Sequence, residues 1–368
     1  MTTTAPAGAD RTSHTSNPTG SAAAGTVRRP PGALVATVFA VLLLVAIIAG
    51  VGIGPLSLPP DEVLRILFAQ MTNGSLGGVD PSSAHVVWEL RLPRGAQAAI
   101  VGASLAITGA ALQGLFGNAL ADPGIVGVTS GASLGAIIAI VLGLTVFGPW
   151  TVPAMSFAFG LATTALIYVL ARPGHGDGTV QLILVGIAVT AVGGSINGFF
   201  TYIADTTELE SIVYWSMGSL NRASWDAAGA ALPFFIVGLA VLISMARPLD
   251  VLALGEKQAK HVGLDVRRTR KLLVVATAVI VAAAVATAGS IGFVGLVVPH
   301  IVRIIVGPGH RWLLPLSALG GALMIVLADI GARTLNPPSE VPIGLFTGLV
   351  GGPFFLWLLY RRQETARG

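Results

Sequence analysis

The chain contains no cysteine. That excludes disulfides, thiolate-bound zinc and cysteine nucleophiles together. Charge is nearly as scarce, with 10% Asp, Glu, Lys and Arg and a net charge of +4. No basic face with aromatic or base-reading groups is visible, which argues against nucleic acid as a partner. The patterns G-x-x-x-x-G-K-[ST] and H-E-x-x-H are both absent. The sequence therefore carries no phosphate-cradling loop or zinc-protease helix. It reads as a non-enzyme with no catalytic residue, no metal site and no cofactor.

What fills the chain instead is apolar. Hydrophobic residues make up 54% of the 368, and the mean hydropathy is +0.81. That composition points to an all-α, polytopic membrane protein. The 47 glycines suit close helix packing in lipid, where small residues let backbones approach. Residues 1–32 are rich in Thr, Ser, Ala, Gly and Pro and read as a disordered cytoplasmic tail ending at Arg28–Arg29. The first apolar run, 33–53, is too long for a signal-peptide core.

A bilayer core needs about 20 apolar residues per helix. That rule marks ten spans, near 33–53, 95–115, 126–143, 151–171, 181–203, 228–246, 272–288, 291–306, 313–332 and 342–360. They form one domain, 33–362, followed by a short cytoplasmic tail, 363–368. The eighth span is short and holds Pro299, which predicts a kink or break. Lys and Arg collect in alternate loops, most densely in 247–271, which predicts a multi-pass protein of the cell membrane with both termini in the cytoplasm. Arg91 and Arg94 break the trend by falling outside. Glycine-rich helix pairs starting near 95 and 272 would suit an inverted repeat.

Ionisable groups are rare inside the spans. His300 follows Pro299, and reads either as a proton relay or metal ligand or, more commonly, as a polar helix residue bonded to nearby backbone. Asp329 and Arg333 have the i,i+4 spacing of an ion pair at the outer surface. Gln113, Asn197 and Thr201 are the polar candidates for a translocation pathway. Such a pathway suits a bulky solute and disfavours an ion-coupled secondary carrier, the alternative of a different class.

The basic loop is the remaining puzzle. Leu252, Leu254, Ala259 and Val262 form an apolar stripe among charges, Gly263 is placed as a helix stop, and Asp265 could cap a further short helix. The segment is either a docking knob or an ordinary positive-inside loop.

Three blocks of this sequence resemble the FecCD type of iron–siderophore and cobalamin ABC importer permeases. They are "LRLPRGAQAAIVGASLAITGAALQGLFGNALADPGIVGVTSGASLGA" (90–136), "YWSMGSLNRASW" (214–225) and the long run from Gly289 to Arg362. The resemblance is collinear over 33–362 and implies a type II ABC importer permease. It implies ten helices, a second permease subunit (identical or homologous), two cytoplasmic ATPases and an extracytoplasmic binding protein. The implied substrate is a ferric siderophore, with haem or cobalamin as alternatives on the same scaffold. Residues 252–268 take the position of two ATPase-coupling helices, with Leu252, Leu254, Glu256, Ala259, Val262, Gly263, Leu264 and Arg268 as contact candidates. Arg91, Arg94 and Arg333 match arginines that meet acidic residues of the binding protein, snorkelling anchors being the plainer reading. The loop 172–181 matches a cytoplasmic gate position.

Overall fold

The computed structural model describes residues 29–54, 56, 58–72, 74, 78–171, 178–337 and 339–367. Among these residues there is helix and no strand. In lipid this follows from backbone chemistry, because a helix satisfies its own N–H and C=O groups where no water can.

The first helix, α1 (Gly32–Gly52), is followed by α2 (Pro60–Thr72) and α3 (Pro81–His85). A π-helical stretch, Val86–Arg91, joins α3 to α4 (Leu92–Phe116) without a break. Then come α5 (Val128–Val141), α6 (Thr151–Ala171), α7 (Gly178–Ile203), α8 (Thr206–Met217) and α9 (Trp225–Ser244). Two short helices, α10 (Ala246–Leu252) and α11 (Glu256–His261), lead to α12 (Val266–Ala288). The chain closes with α13 (Val294–Val306), α14 (His310–Thr334) and α15 (Ile343–Arg367).

Ten of these helices coincide with the ten apolar runs. Seven are long and apolar enough to cross a membrane, and α5, α13 and Ile343–Trp357 are shorter apolar helices. The second segment is continuous from Pro81 to Phe116, 36 residues. At 1.5 Å per residue it is about 54 Å long, well beyond the roughly 30 Å hydrocarbon core. Its extra turns carry Arg91. With 13 residues, α13 reaches only about 20 Å. The residue before it, Phe293, has φ 67°, and its ring lies where a Cβ on Gly351 of α15 would be. α15 stays helical to Arg367, past the end of its apolar run.

α4 and α12 form the centre, with 78% and 72% of their apolar windows buried, whereas α1 and α7 have 22% and 17%. Glycine sets how close the neighbours come to α4. A Cβ on Gly102 would overlap the carbonyl oxygen of Gly321 in α14, and one on Gly321 would overlap that of Gly102. Lower down, a Cβ on Gly109 would overlap Gly295 of α13. The backbones touch, which is the close approach that small residues permit. A polar tie adds to this packing: Gln97 Nε2 of α4 donates to the Thr287 carbonyl of α12 at 2.9 Å.

Below, the proximal end is the one where α1 begins, and the distal end is the one where it finishes. The expected tail within 1–28 and the gate residues 172–177 lie outside the described residues.

Candidate functional site

At the proximal end, α10 and α11 stand between α9 and α12. Their pairing differs in one respect from the expectation. The two short helices cover 246–261, not 252–268, and Asp265 caps α12 itself. Its side chain accepts from the Arg268 N–H at 2.9 Å, and α12 runs unbroken into the bundle. Gly263 stops α11 as expected. With φ 86° it lets the Leu264 N–H reach the Ala259 carbonyl and its own N–H reach that of Lys260, both at 3.0 Å. This is the Schellman closure, which consumes the last orphan carbonyls of the helix.

The contact candidates divide by exposure. Leu254 and Val262 are 68% and 69% exposed, although apolar. Gly263 and Arg268 are also exposed, Leu252 and Leu264 are partly covered, and Ala259 is fully buried as the seat of α11. Glu256 clasps the module shut, meeting Lys260 at 3.0 Å and the buried Arg270 of α12 at 3.0 Å. Burial pushes the Glu256 carboxyl up, but the hydrogen bonds and charges of Lys260 and Arg270 outweigh it and hold the group below its ordinary 4.5.

α10 is fastened to the bundle more firmly. Leu249 is fully buried, against Gly114 of α4. Next to it, Asp250 Oδ1 accepts from the backbone N–H of His310 at 2.9 Å and lies 2.7 Å from its Nδ1. One helix away, Gln113 Nε2 donates to the Gly295 carbonyl at 2.9 Å, and Gln113 Oε1 accepts from Arg303 at 3.0 Å.

At the distal end the three arginines depart from the sequence picture. Instead of standing at an exposed rim, Arg91, Arg94 and Arg333 are 7%, 8% and 6% exposed and are engaged within the chain. Arg91 donates to the carbonyls of Val51 at 2.7 Å and Gly52 at 3.2 Å, and also to Leu56. Arg333 reaches the Gly50 carbonyl at 3.0 Å. The carbonyls of Gly50, Val51 and Gly52 end α1, where a helix has acceptors left over and a negative dipole end, so two guanidinium groups cap it. Arg94 bridges Asp329 at 2.8 Å and Glu340 at 2.7 Å. The Asp329–Arg333 pair exists, at 3.1 Å, but it is buried and not at the surface. The π-helical stretch that ends at Arg91 resets the helical phase, a device frequent at functional sites.

The pathway candidates are not brought together. Asn197 and Thr201 lie one turn apart on α7, with Asn197 Nδ2 3.3 Å from Ser133 Oγ of α5. Gln113 sits in the buried proximal part of α4, on the other side of the bundle's length. His300 is 9% exposed, edge-on to Phe354 of α15. No group of three or more His, Cys, Asp or Glu able to hold a metal occurs among the described residues.

Sequence reasoning missed three features. The Asp250–His310 pair and Glu340 gave no signal, because the partners are 60 and 246 residues apart in sequence. A distal cavity of about 770 Å³ is lined by Trp150, Glu210, Tyr214, Trp215, Asn221 and Arg222 among others. Its signal was the block at 214–225, noticed for its resemblance and not for its chemistry.

Comparison with known proteins agrees with this architecture. The model of the FecCD transport family matches residues 42–361. The hemin transport system permease HmuU of Yersinia pestis is 40% identical, over 89% of this chain and 96% of its own length. The cobalamin import system permease BtuC of Halobacterium salinarum is 46% identical, over 78% of this chain and 77% of its own. A solved structure described as the inward-facing conformation of a metal-chelate type ABC transporter superposes with TM-score 0.78 at 34% identity, covering 89% of this chain and 99% of that one. A shared helical plan, a family match along most of the chain and close relatives on both counts lead to one conclusion: the chain belongs to the FecCD transport family of ABC transporter permeases.

Proposed function

We propose that the chain is the membrane permease subunit of an ATP-driven importer for a metal chelate, with a ferric siderophore as the substrate. One observation carries this reading. α11 is a short, tightly terminated helix at the proximal end, flanked by two exposed apolar side chains, Leu254 in the turn before it and Val262 at its C-cap, in a stretch rich in Lys and Arg. Large apolar residues left exposed on both sides of a charged helix suit a contact site. The chain has no phosphate loop of its own, so an ATPase is the partner that such a contact would serve. Two ATPases would dock on a pair of permease subunits, identical or homologous, and the paired bundles would alternate in access. In this reading the proximal end and both termini face the cytoplasm.

The distal end would receive the substrate-binding protein. Arg91 and Arg333 organise that surface by holding the end of α1, and Arg94 by bridging Asp329 and Glu340. Glu340, with a side chain one-third exposed, is the partner of Arg94 that an incoming carboxylate could replace. Charge pairs of this kind steer and orient docking more than they deepen affinity. Gln113, Asn197 and Thr201 remain candidates for the pathway, and 172–181 for its cytoplasmic gate. The relatives named above are described as permeases or transporters for hemin, cobalamin and a metal chelate, which are large organic ligands holding a metal. Haem and cobalamin are therefore the second readings. The deciding experiment is uptake in a strain lacking the chain, offered radiolabelled ferric siderophores, haemin and cyanocobalamin in parallel. Loss of siderophore uptake alone, restored by the gene, supports the proposal. Loss of haemin or cyanocobalamin uptake alone replaces the substrate, and no loss refutes the import reading.

A further inference from the structure

The N-terminus of α14 has no cap of its own. Its N-cap is Gly309, which offers no side chain, and the first N–H groups of α14 therefore have no acceptor from the cap residue. The missing acceptor comes from a different element. Asp250 of α10 accepts from the His310 N–H at 2.9 Å and stands 2.7 Å from His310 Nδ1. A carboxylate at this place also complements the positive end of the helix dipole. The imidazole is held from behind, because a Cβ on Gly114 would overlap His310 Nε2. The side chain of His310 is 6% exposed and that of Asp250 is 44% exposed.

The consequence lies in what each helix touches next. α10 runs through a three-residue turn, Ala253–Gly255, into α11, the helix with the projecting Leu254 and Val262 at its two ends. α14 continues for 25 residues to the distal end, where Asp329 and Arg333 bind Arg94 and the last carbonyls of α1. We infer that Asp250 is a positioning residue, a cap supplied by a different helix of the same chain, which ties the proximal helix pair to α14. Movement of α10 and α11 then shifts α14, and with it the distal arginine cluster. This inference rests on the proposal that α11 receives an ATPase.

The absence of native cysteine allows a direct test. A single cysteine at Leu335, 70% exposed just past α14, takes a bimane fluorophore. The labelled chain is assembled with its cognate ATPase in lipid nanodiscs, and emission is compared without nucleotide and after trapping with ATP and vanadate. The parent should show a shift of emission. Asp250→Ala should retain the ATPase at the parental level and lose the shift. Asp250→Asn, whose amide oxygen still accepts from the His310 N–H, should restore at least half of it. A full shift in Asp250→Ala overturns the inference, as does a parent that binds the ATPase without any shift. Loss of the ATPase from Asp250→Ala also overturns it, by placing Asp250 in the docking surface. Asp250→Asn as weak as Asp250→Ala overturns the capping account. A parent that never retains an ATPase refutes the underlying reading of α11 instead.

Discussion

Asp329 is the residue whose loss the distal architecture should tolerate least. Its carboxylate lies between Arg94 at 2.8 Å and Arg333 at 3.1 Å, with side-chain exposures of 3%, 10% and 7% for the three. Asp329→Ala removes the shared anion and leaves two guanidinium groups facing each other in a site that excludes water. Arg94 keeps Glu340, but Arg333 keeps only carbonyl acceptors. Removing one partner of a buried ion pair costs about 3–5 kcal/mol, because the remaining charge is uncompensated. With the unfolding entropy per residue of soluble domains, that corresponds to a fall of about 4–7 °C in Tm for a bundle of this size. Thermal unfolding of the purified chain in detergent, followed by tryptophan fluorescence, measures it. Glu340→Gln is the control, because the Glu340 side chain is 33% exposed and its pairing should contribute only about 1 kcal/mol or less. Equal, small shifts for the two variants would refute the reading of Asp329 as the keystone of a buried network.

Three further outcomes follow from the same geometry. Gly102→Leu should prevent assembly of the fold, since even a Cβ there overlaps the Gly321 carbonyl, and it should run as aggregate in size-exclusion chromatography, whereas Gly229→Ala, open around its Cβ, should elute normally. Glu256 has a depressed pKa, so the stability that it contributes is present above its ordinary 4.5 and is lost as the pH falls through the lower folded value. Amide exchange in α11 should accelerate across that acid range in the parent and show no such step in Glu256→Gln. Replacing Leu254 and Val262 together by Asp should abolish copurification of the ATPase while leaving Tm unchanged, because both side chains are exposed in the lone chain.

The membrane segments were legible because lipid imposes a single rule, and ten apolar runs obey it as ten helices. Caps made by neighbours in sequence were more legible: Gly263 stops α11 as its position predicts, and Asp265 caps a helix start, although that helix is α12 itself and not a further short one. The arginines were not legible, for two physical reasons. Hydropathy started the second span near residue 95, whereas the helix begins at Pro81, so Arg91 and Arg94 lie in its wall instead of a loop. Nor does a sequence show which carbonyls lack donors, and it was the unpaired end of α1 that drew Arg91 and Arg333 inward. Asp250 escaped for the same reason, since the group that it caps is 60 residues away.

The central claim is that ATP hydrolysis by a partner drives import through this chain. It is tested most directly by sealed proteoliposomes that hold the chain and its cognate ATPase, with the binding protein and a radiolabelled ferric siderophore outside. The account predicts that label accumulates only when ATP is enclosed, and that the Leu254 and Val262 double variant accumulates none. Accumulation without ATP, or driven by a proton gradient alone, would contradict it.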